Sequence, residues 1–480
     1  MAPTPRAIVL TVFLALVLDL LAFTIPLPLF PRLIEWYLAK DTSPTSLISR
    51  SLAFCSSIRS TIHSLQPASV SAVTSIHKGS KNWDVVLLGG MMGSLFSFCQ
   101  CIISPWLGIL SDRYGRRKVL LATMAGNIAS AAIWIQSTSF ESYILSRLVA
   151  GLSEGNVQLT TAIIGDVTDA ASRSKSLALV GIAFSICFTF GPSLGAYFAT
   201  RPLPLATSED KYNVYAMPAA ISLALLVLET LYLAAKLPET KGYKLEQAKA
   251  EQKEGEAAAF IPEPKDVWEK MGNLDKLKDC TNLHGLFLLF FSGAEFTLTF
   301  LTYDIFSASN AYNGKLLGFI GILAAMIQGR YVRPHMAKVG ELQVALSGIL
   351  SCTIGLLLIS AIPFFTSSSF TALPHILLYA GATCLAFTSA TVVTGLTAAA
   401  AGCCDERFPQ LQRGRAMGKF RSRGQLGRSV GPLLASGLYW INGPSVAYLT
   451  LGSMLAAVLM FAPRGGVEGY RPWKGKSKMQ

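Results

Sequence analysis

The feature that most constrains this chain is the recurrence of apolar runs about twenty residues long, each enough to cross a bilayer as a helix. A backbone in lipid must bond to itself, so only helices and closed barrels span membranes. These runs read as transmembrane helices. They fall at 7–30, 84–110, 119–136, 141–165, 176–199, 213–236, 283–303, 314–332, 342–362, 373–398, 420–440 and 444–463. The spacing predicts an all-α membrane protein of twelve transmembrane helices in two six-helix pseudo-symmetric halves. The first half is 1–236 with an outer loop at 32–83, the linker 237–281, the second half 282–463 and the tail 464–480. Charged residues make up only 14% of the chain, against about 25% in soluble domains. Segment 7–30 contains Asp19 and runs into Pro26, Pro28 and Pro31 without a small-residue cleavage site, so it reads as the first span, not as a signal peptide.

A net charge of +13 would suit nucleic acid if it were clustered. Instead most Lys and Arg, with the arginines of the 413–428 stretch counted among them, fall on one side of the spans, few on the other, and Arg147 inside one. That asymmetry places both termini and the 237–281 linker in the cytoplasm and makes the lipid bilayer, not nucleic acid, the partner. Of nine cysteines only Cys55 falls on the outer side, so neither a disulfide framework nor a metal site is indicated. Cys403 and Cys404, adjacent at a span end, are candidates for lipidation.

The loop Gly108-Ile109-Leu110-Ser111-Asp112-Arg113-Tyr114-Gly115-Arg116-Arg117-Lys118-Val119 joins the second and third spans. Gly108 and Gly115 allow close approach and positive φ. Asp112 sits at a helix C-terminus, where an acid needs a cation, and Arg113, Arg116 and Arg117 can each supply one. Asp19 lies roughly 18 Å into the first span, a depth where a carboxylate faces a bundle interior or a water-filled cavity; the alternative is a neutral, hydrogen-bonded structural Asp. The fourth span carries Arg147, Glu154 and Gln158 at helical spacing, a polar stripe. Gly151 and Gly155 offer a packing face beside it. The seventh span holds Glu295. In the fifth, Gly191, Pro192 and Gly195 combine close packing with a kink. In the outer loop Ile48, Leu52, Cys55, Ile62 and Leu65 recur at helical spacing, so a short amphipathic helix is expected there, either capping an entrance or serving as a spacer. Gln328 to Glu341 and Gly427 to Pro432 repeat the loop and fifth-span patterns in the second half.

The G-x-x-x-D-R-x-G-R-R loop, the G-P-x-x-G run and Leu237-Pro238-Glu239-Thr240 resemble the major facilitator superfamily. Within its drug:proton antiporter branch, the chain looks most like the eukaryotic tetracycline-transporter-like proteins, which export drugs or organic anions. Pro238 to Gly242 also resembles a sugar-porter signature. The resemblance implies the major facilitator fold, with spans one, four, seven and ten lining a central cavity that opens alternately to each side. On those spans Asp19, Arg147, Glu154, Gln158 and Glu295 would form the substrate and proton pathway. Asp112 with its arginines would latch the cytoplasmic ends. The chain is then expected to be a monomeric secondary transporter moving small organic compounds, drug-like molecules or organic anions, in exchange for protons. It would sit in the plasma membrane or an endomembrane such as the vacuole. A uniporter or symporter of metabolites or sugars, and a non-transporting receptor or scaffold, are the alternatives. No phosphate-binding loop occurs, so the reading is of a gradient-driven carrier, not an enzyme, with no cofactor and no metal.

Overall fold

A computed structural model describes residues 4–26, 29–41, 43–64, 81–199, 201, 212–243, 264–308, 310–366 and 372–462. Among them ten helices are long and apolar enough to cross a membrane. The first half contains α1 (Pro5–Thr24), α2 (Phe30–Lys40), α3 (Leu47–Ser64), α4 (Lys81–Tyr114), α5 (Arg116–Ile135), α6 (Phe140–Ser153), α7 (Asn156–Val167), α8 (Ala170–Phe198) and α9 (Ala216–Lys236). The second contains α10 (Pro264–Phe306), α11 (Asn310–Ile327), α12 (Arg333–Val339), α13 (Glu341–Ala361), α14 (Leu373–Gly402) and α15 (Arg413–Phe461). α6 and α7 are each too short to cross but succeed one another and make one further crossing. α15, at 49 residues, would be roughly 73 Å long if straight, well beyond one bilayer. It leaves helical geometry at Gly443 (φ 80°, ψ 169°), with Pro444 following, and so supplies two crossings. Twelve crossings result, in the order expected.

The two halves echo each other at their loops. α5 and α13 are both entered through a glycine at positive φ, Gly115 at 102° and Gly340 at 99°. Between the halves, α4 runs along α15, while α8 packs on α11, α12 and α14. Between α11 and α12 the backbone widens into a π-helical turn, Gln328–Val332. There buried Gln328 donates to Thr394 Oγ1 (2.9 Å) and to the Ala178 carbonyl of the other half (3.3 Å).

Two stretches differ from the sequence reading. The segment at 32–83 contains two helices, not one. α2 buries Leu33, Ile34 and Tyr37, and the Tyr37 hydroxyl donates to the Ser137 carbonyl (2.9 Å). α3 buries Ile48 and Cys55 with Leu52 packed beside them; the side chain of Ile62, and Leu65, lie outside the described residues. α10 begins at Pro264, inside the stretch read as linker, because Asp275 to Asp279 continue a helix that buries Leu277 and Cys280.

Candidate functional site

One end of the bundle is sealed by charged groups from both halves. Gly108 on α4 lies against the Gly414 carbonyl of α15, so closely that a Cβ could not be placed there. This approach brings Asp112 to the first turn of α15, where its carboxylate accepts from the backbone N–H of Gly414 (2.9 Å) and Arg415 (2.6 Å). Free N–H groups and the helix dipole make such a terminus a good seat for an anion. Of the three arginines read as partners, only Arg116 reaches Asp112, at 2.5 Å. Arg113 is exposed beside the Tyr114 ring. Arg117 turns to the Ala234 carbonyl (2.6 Å). Arg116 also pairs with Asp166 on α7 (3.0 Å), which in turn holds Arg413 of α15 (2.6 Å). Glu239 closes the back of the network, accepting from the N–H of Arg116 (2.7 Å) and Arg117 (3.3 Å) at the start of α5. The Pro238 to Gly242 run thus has a structural task in this protein. Asp166, Arg413 and Glu239 were not singled out by sequence reasoning, because their partners are remote in the chain.

Deeper in the first half a small cleft is lined by Asp19, Phe23, Phe96, Arg147, Glu154 and neighbours from α5 and α9. Asp19 is buried and accepts from Asn156 Nδ2 (2.6 Å). Glu154 accepts from Asn127 Nδ2 (3.4 Å). Arg147 lies over the rings of Trp134 (5.5 Å) and Tyr143 (5.4 Å). Three of the expected pathway residues therefore share one space. Gln158 does not join them. The fourth span breaks where Glu154 (ψ 101°) caps α6, so the helical register is lost and Gln158 points at α4, donating to the Ser104 carbonyl (2.9 Å). Asn156 takes its place beside Asp19. Glu229 on α9, buried with Oε2 unbonded, adds a further carboxylate close enough to feel both Asp19 and Glu154.

The facing wall belongs to the second half. Glu295 on α10 is exposed, and Arg428 of α15 is close enough to act on it electrostatically. From α15 come Arg421 and Arg428, both half-buried. With its amide oriented to suit its neighbours, Gln425 accepts from Arg421 Nε and Nη2 (3.1 Å each) and donates to Gln100 Oε1 on α4 (3.2 Å). Sequence reasoning counted these arginines with the loop charge, because basic residues recur from Arg413 to Arg428. The seven-residue spacing of 421 and 428 was the available signal.

The glycines of α8 pack against α1. A Cβ at Gly191 would run into the Thr24 side chain and one at Gly195 into the Ile25 carbonyl, while Thr24 donates to the Cys187 carbonyl (3.1 Å). At the end of α14, burial pushes the thiol of Cys403 up to about 11 and that of Cys404 up to about 12. That lowers the thiolate fraction on which acylation depends. Among the described residues no group of His, Cys, Asp and Glu is arranged to hold a metal.

Comparison with known proteins agrees with this architecture. The family model described as Major Facilitator Superfamily matches residues 12–402. The bovine (Bos taurus) major facilitator superfamily domain-containing protein 10 is 34% identical over 467 residues, covering 94% of this chain and 91% of its own. The class C tetracycline resistance protein of Escherichia coli is 25% identical over 297 residues, 61% of this chain and 67% of that one. Among solved structures, the human organic anion transporter MFSD10 (TETRAN) superposes with a TM-score of 0.74 at 30% identity, over 95% of this chain and 99% of that one.

Proposed function

This chain belongs to the major facilitator superfamily, and from that premise we propose that it moves small organic anions across a membrane by alternating access, in exchange for protons. The observation that carries the reading is that Asp19 and Glu154 of one half lie within electrostatic reach of Arg421 of the other, at span depth and behind a sealed end. Titratable groups at that depth are costly and are kept for pathways. Similarity to a protein described as an organic anion transporter supports the substrate class, and similarity to tetracycline resistance proteins supports drug-like bodies. Phe23 and Phe96, with rings 5.4 Å apart, offer an apolar wall for such a body.

On this reading the halves 1–236 and 282–463 rock about the cavity, joined by the 237–281 linker. The seal of Asp112, Arg116, Asp166 and Arg413 faces the cytoplasm, as do both termini, so the described conformation is closed to the inside. The Lys and Arg asymmetry supports that orientation, and a plasma membrane or endomembrane such as the vacuole would house a monomer. Asp19 and, to a lesser extent, Glu295 would carry the proton, while Glu154 and Arg147 hold the outer part of the cleft. Uptake into proteoliposomes of a panel of organic anions, cations and sugars, with and without a pH gradient, tests this. Saturable, gradient-stimulated movement of anions is expected. Movement of sugars or cations alone would overturn it.

A further inference from the structure

Arg421 and Arg428 lie about 12 Å and 22 Å into α15 from its basic end, far beyond the reach of a loop. Their separation of seven residues sets them on one face, two turns apart. The two are not equivalent. Arg421 is already engaged, bonded to Gln425 and under the electrostatic influence of Glu154 and Asp19 across the cavity. Arg428 has no hydrogen bond or ion pair with any described residue. The charged and titratable groups within electrostatic reach of it are Arg421 on its own helix and Glu295 and His284 on α10. His284, on the same side of α10 as Glu295, is stacked on Phe420 (4.2 Å) and abuts Gly424; it is 3% exposed, and its Nδ1 is buried without a partner. A half-buried guanidinium at this depth, with donors used by no described residue and the unsatisfied His284 Nδ1 near it, is suited to an acceptor.

We propose that Arg428 is the anchor for the acidic group of the transported molecule, a carboxylate or sulfonate held by its planar fork, and that Arg421 is a positioning residue linking that anion to Glu154 and Asp19. The inference rests on the reading of the space between the halves as the substrate pathway and adds which wall recognises charge. Guanidinium is the group suited to such recognition, because two parallel N–H bonds fit a carboxylate while an ammonium offers only a point charge. Glu295 lies within electrostatic reach of Arg428 without pairing to it among the described residues, so it tempers the charge of the guanidinium without using its donors.

The test is transport of a radiolabelled aromatic carboxylate by purified protein in proteoliposomes, with a neutral amide of the same skeleton as the second substrate. Arg428→Gln is expected to raise KM for the carboxylate at least tenfold, and Arg428→Lys to restore it only in part, while KM for the amide changes less than twofold. Arg421→Gln is expected to move the pH profile of carboxylate transport and leave KM within about threefold. If Arg428 merely neutralises Glu295, the double variant Arg428→Gln, Glu295→Gln recovers wild-type KM; the anchor role predicts no recovery. Monodisperse elution and an unchanged melting temperature in detergent show that each variant is folded. Unchanged carboxylate KM in folded Arg428→Gln, or recovery in the double variant, overturns the proposal. Failure of the wild-type protein to move any carboxylate would instead overturn the anion reading on which it stands.

Discussion

Replacing Asp112 by Asn probes the seal at its centre. Asp112 accepts from two backbone N–H groups of α15 and pairs with Arg116. Asn keeps one acceptor oxygen of similar shape but loses the charge, and with it one charge-assisted bond and the favourable end of the helix dipole. A hydrogen bond to a charged group contributes about 1.5–3 kcal/mol, and the dipole about 0.3–1 kcal/mol. Arg116 retains Asp166 (3.0 Å), so the full cost of an orphaned buried charge is not incurred. A net bias of about 2–3 kcal/mol against the sealed conformation follows, roughly a 30- to 150-fold shift in the balance of states at 1.4 kcal/mol per decade. Because Asp112 stands outside the cavity, turnover should change more than substrate affinity. Spectroscopic labels at Lys118 and Gln410, both exposed and on opposite halves, read the separation of this end directly. The variant is expected to populate longer distances and to transport at an altered rate. An unchanged distance distribution together with an unchanged rate would refute the reasoning and leave the loop as a topology signal only.

Gly108→Val should oppose the same closure by steric means, since its side chain would occupy the space of the Gly414 carbonyl; the label pair should report an open end and transport should fall at least tenfold. Asp19→Asn, and Glu295→Gln more weakly, are expected to abolish pH-driven transport while leaving substrate-for-substrate exchange, which needs no net proton movement. Full proton-driven transport by both and by the double variant would remove the assignment and shift it to Glu154. Finally, an impermeant reagent should reach labels on α3 from the outer side alone, and labels at Lys118 and Gln410 from the cytoplasmic side alone. The reverse pattern would invert the topology.

Much of this architecture was legible because lipid imposes length and hydropathy on every crossing. The glycine at positive φ before α5 and its counterpart before α13 were visible as repeated loop patterns. What periodicity could not deliver was anything set by an interruption or by contact between halves. The stripe through Arg147, Glu154 and Gln158 assumed an unbroken helix, and the break at Glu154 put Asn156, not Gln158, beside Asp19. Asp112 was read as needing a positive partner, but two of the three groups it accepts from are backbone N–H groups at the start of α15, 302 and 303 residues away along the chain, which carries no sequence signature. Arg421 and Arg428 were hidden by the basic run leading into α15, where charge that belongs to the cavity continues charge that belongs to the surface. α2 escaped notice because its buried face, Leu33, Ile34 and Tyr37, occupies barely two turns and is flanked by proline.

The central claim is that an organic anion and a proton move in opposite directions through the space between Asp19 and Arg428. Proteoliposomes containing the purified protein and a trapped pH-sensitive dye, with the membrane potential clamped by potassium and valinomycin, measure this in one trace. On addition of an external aromatic carboxylate the account predicts a saturable alkalinisation of the lumen that Asp19→Asn abolishes. Acidification of the lumen, or substrate entry with no change of pH, would contradict it.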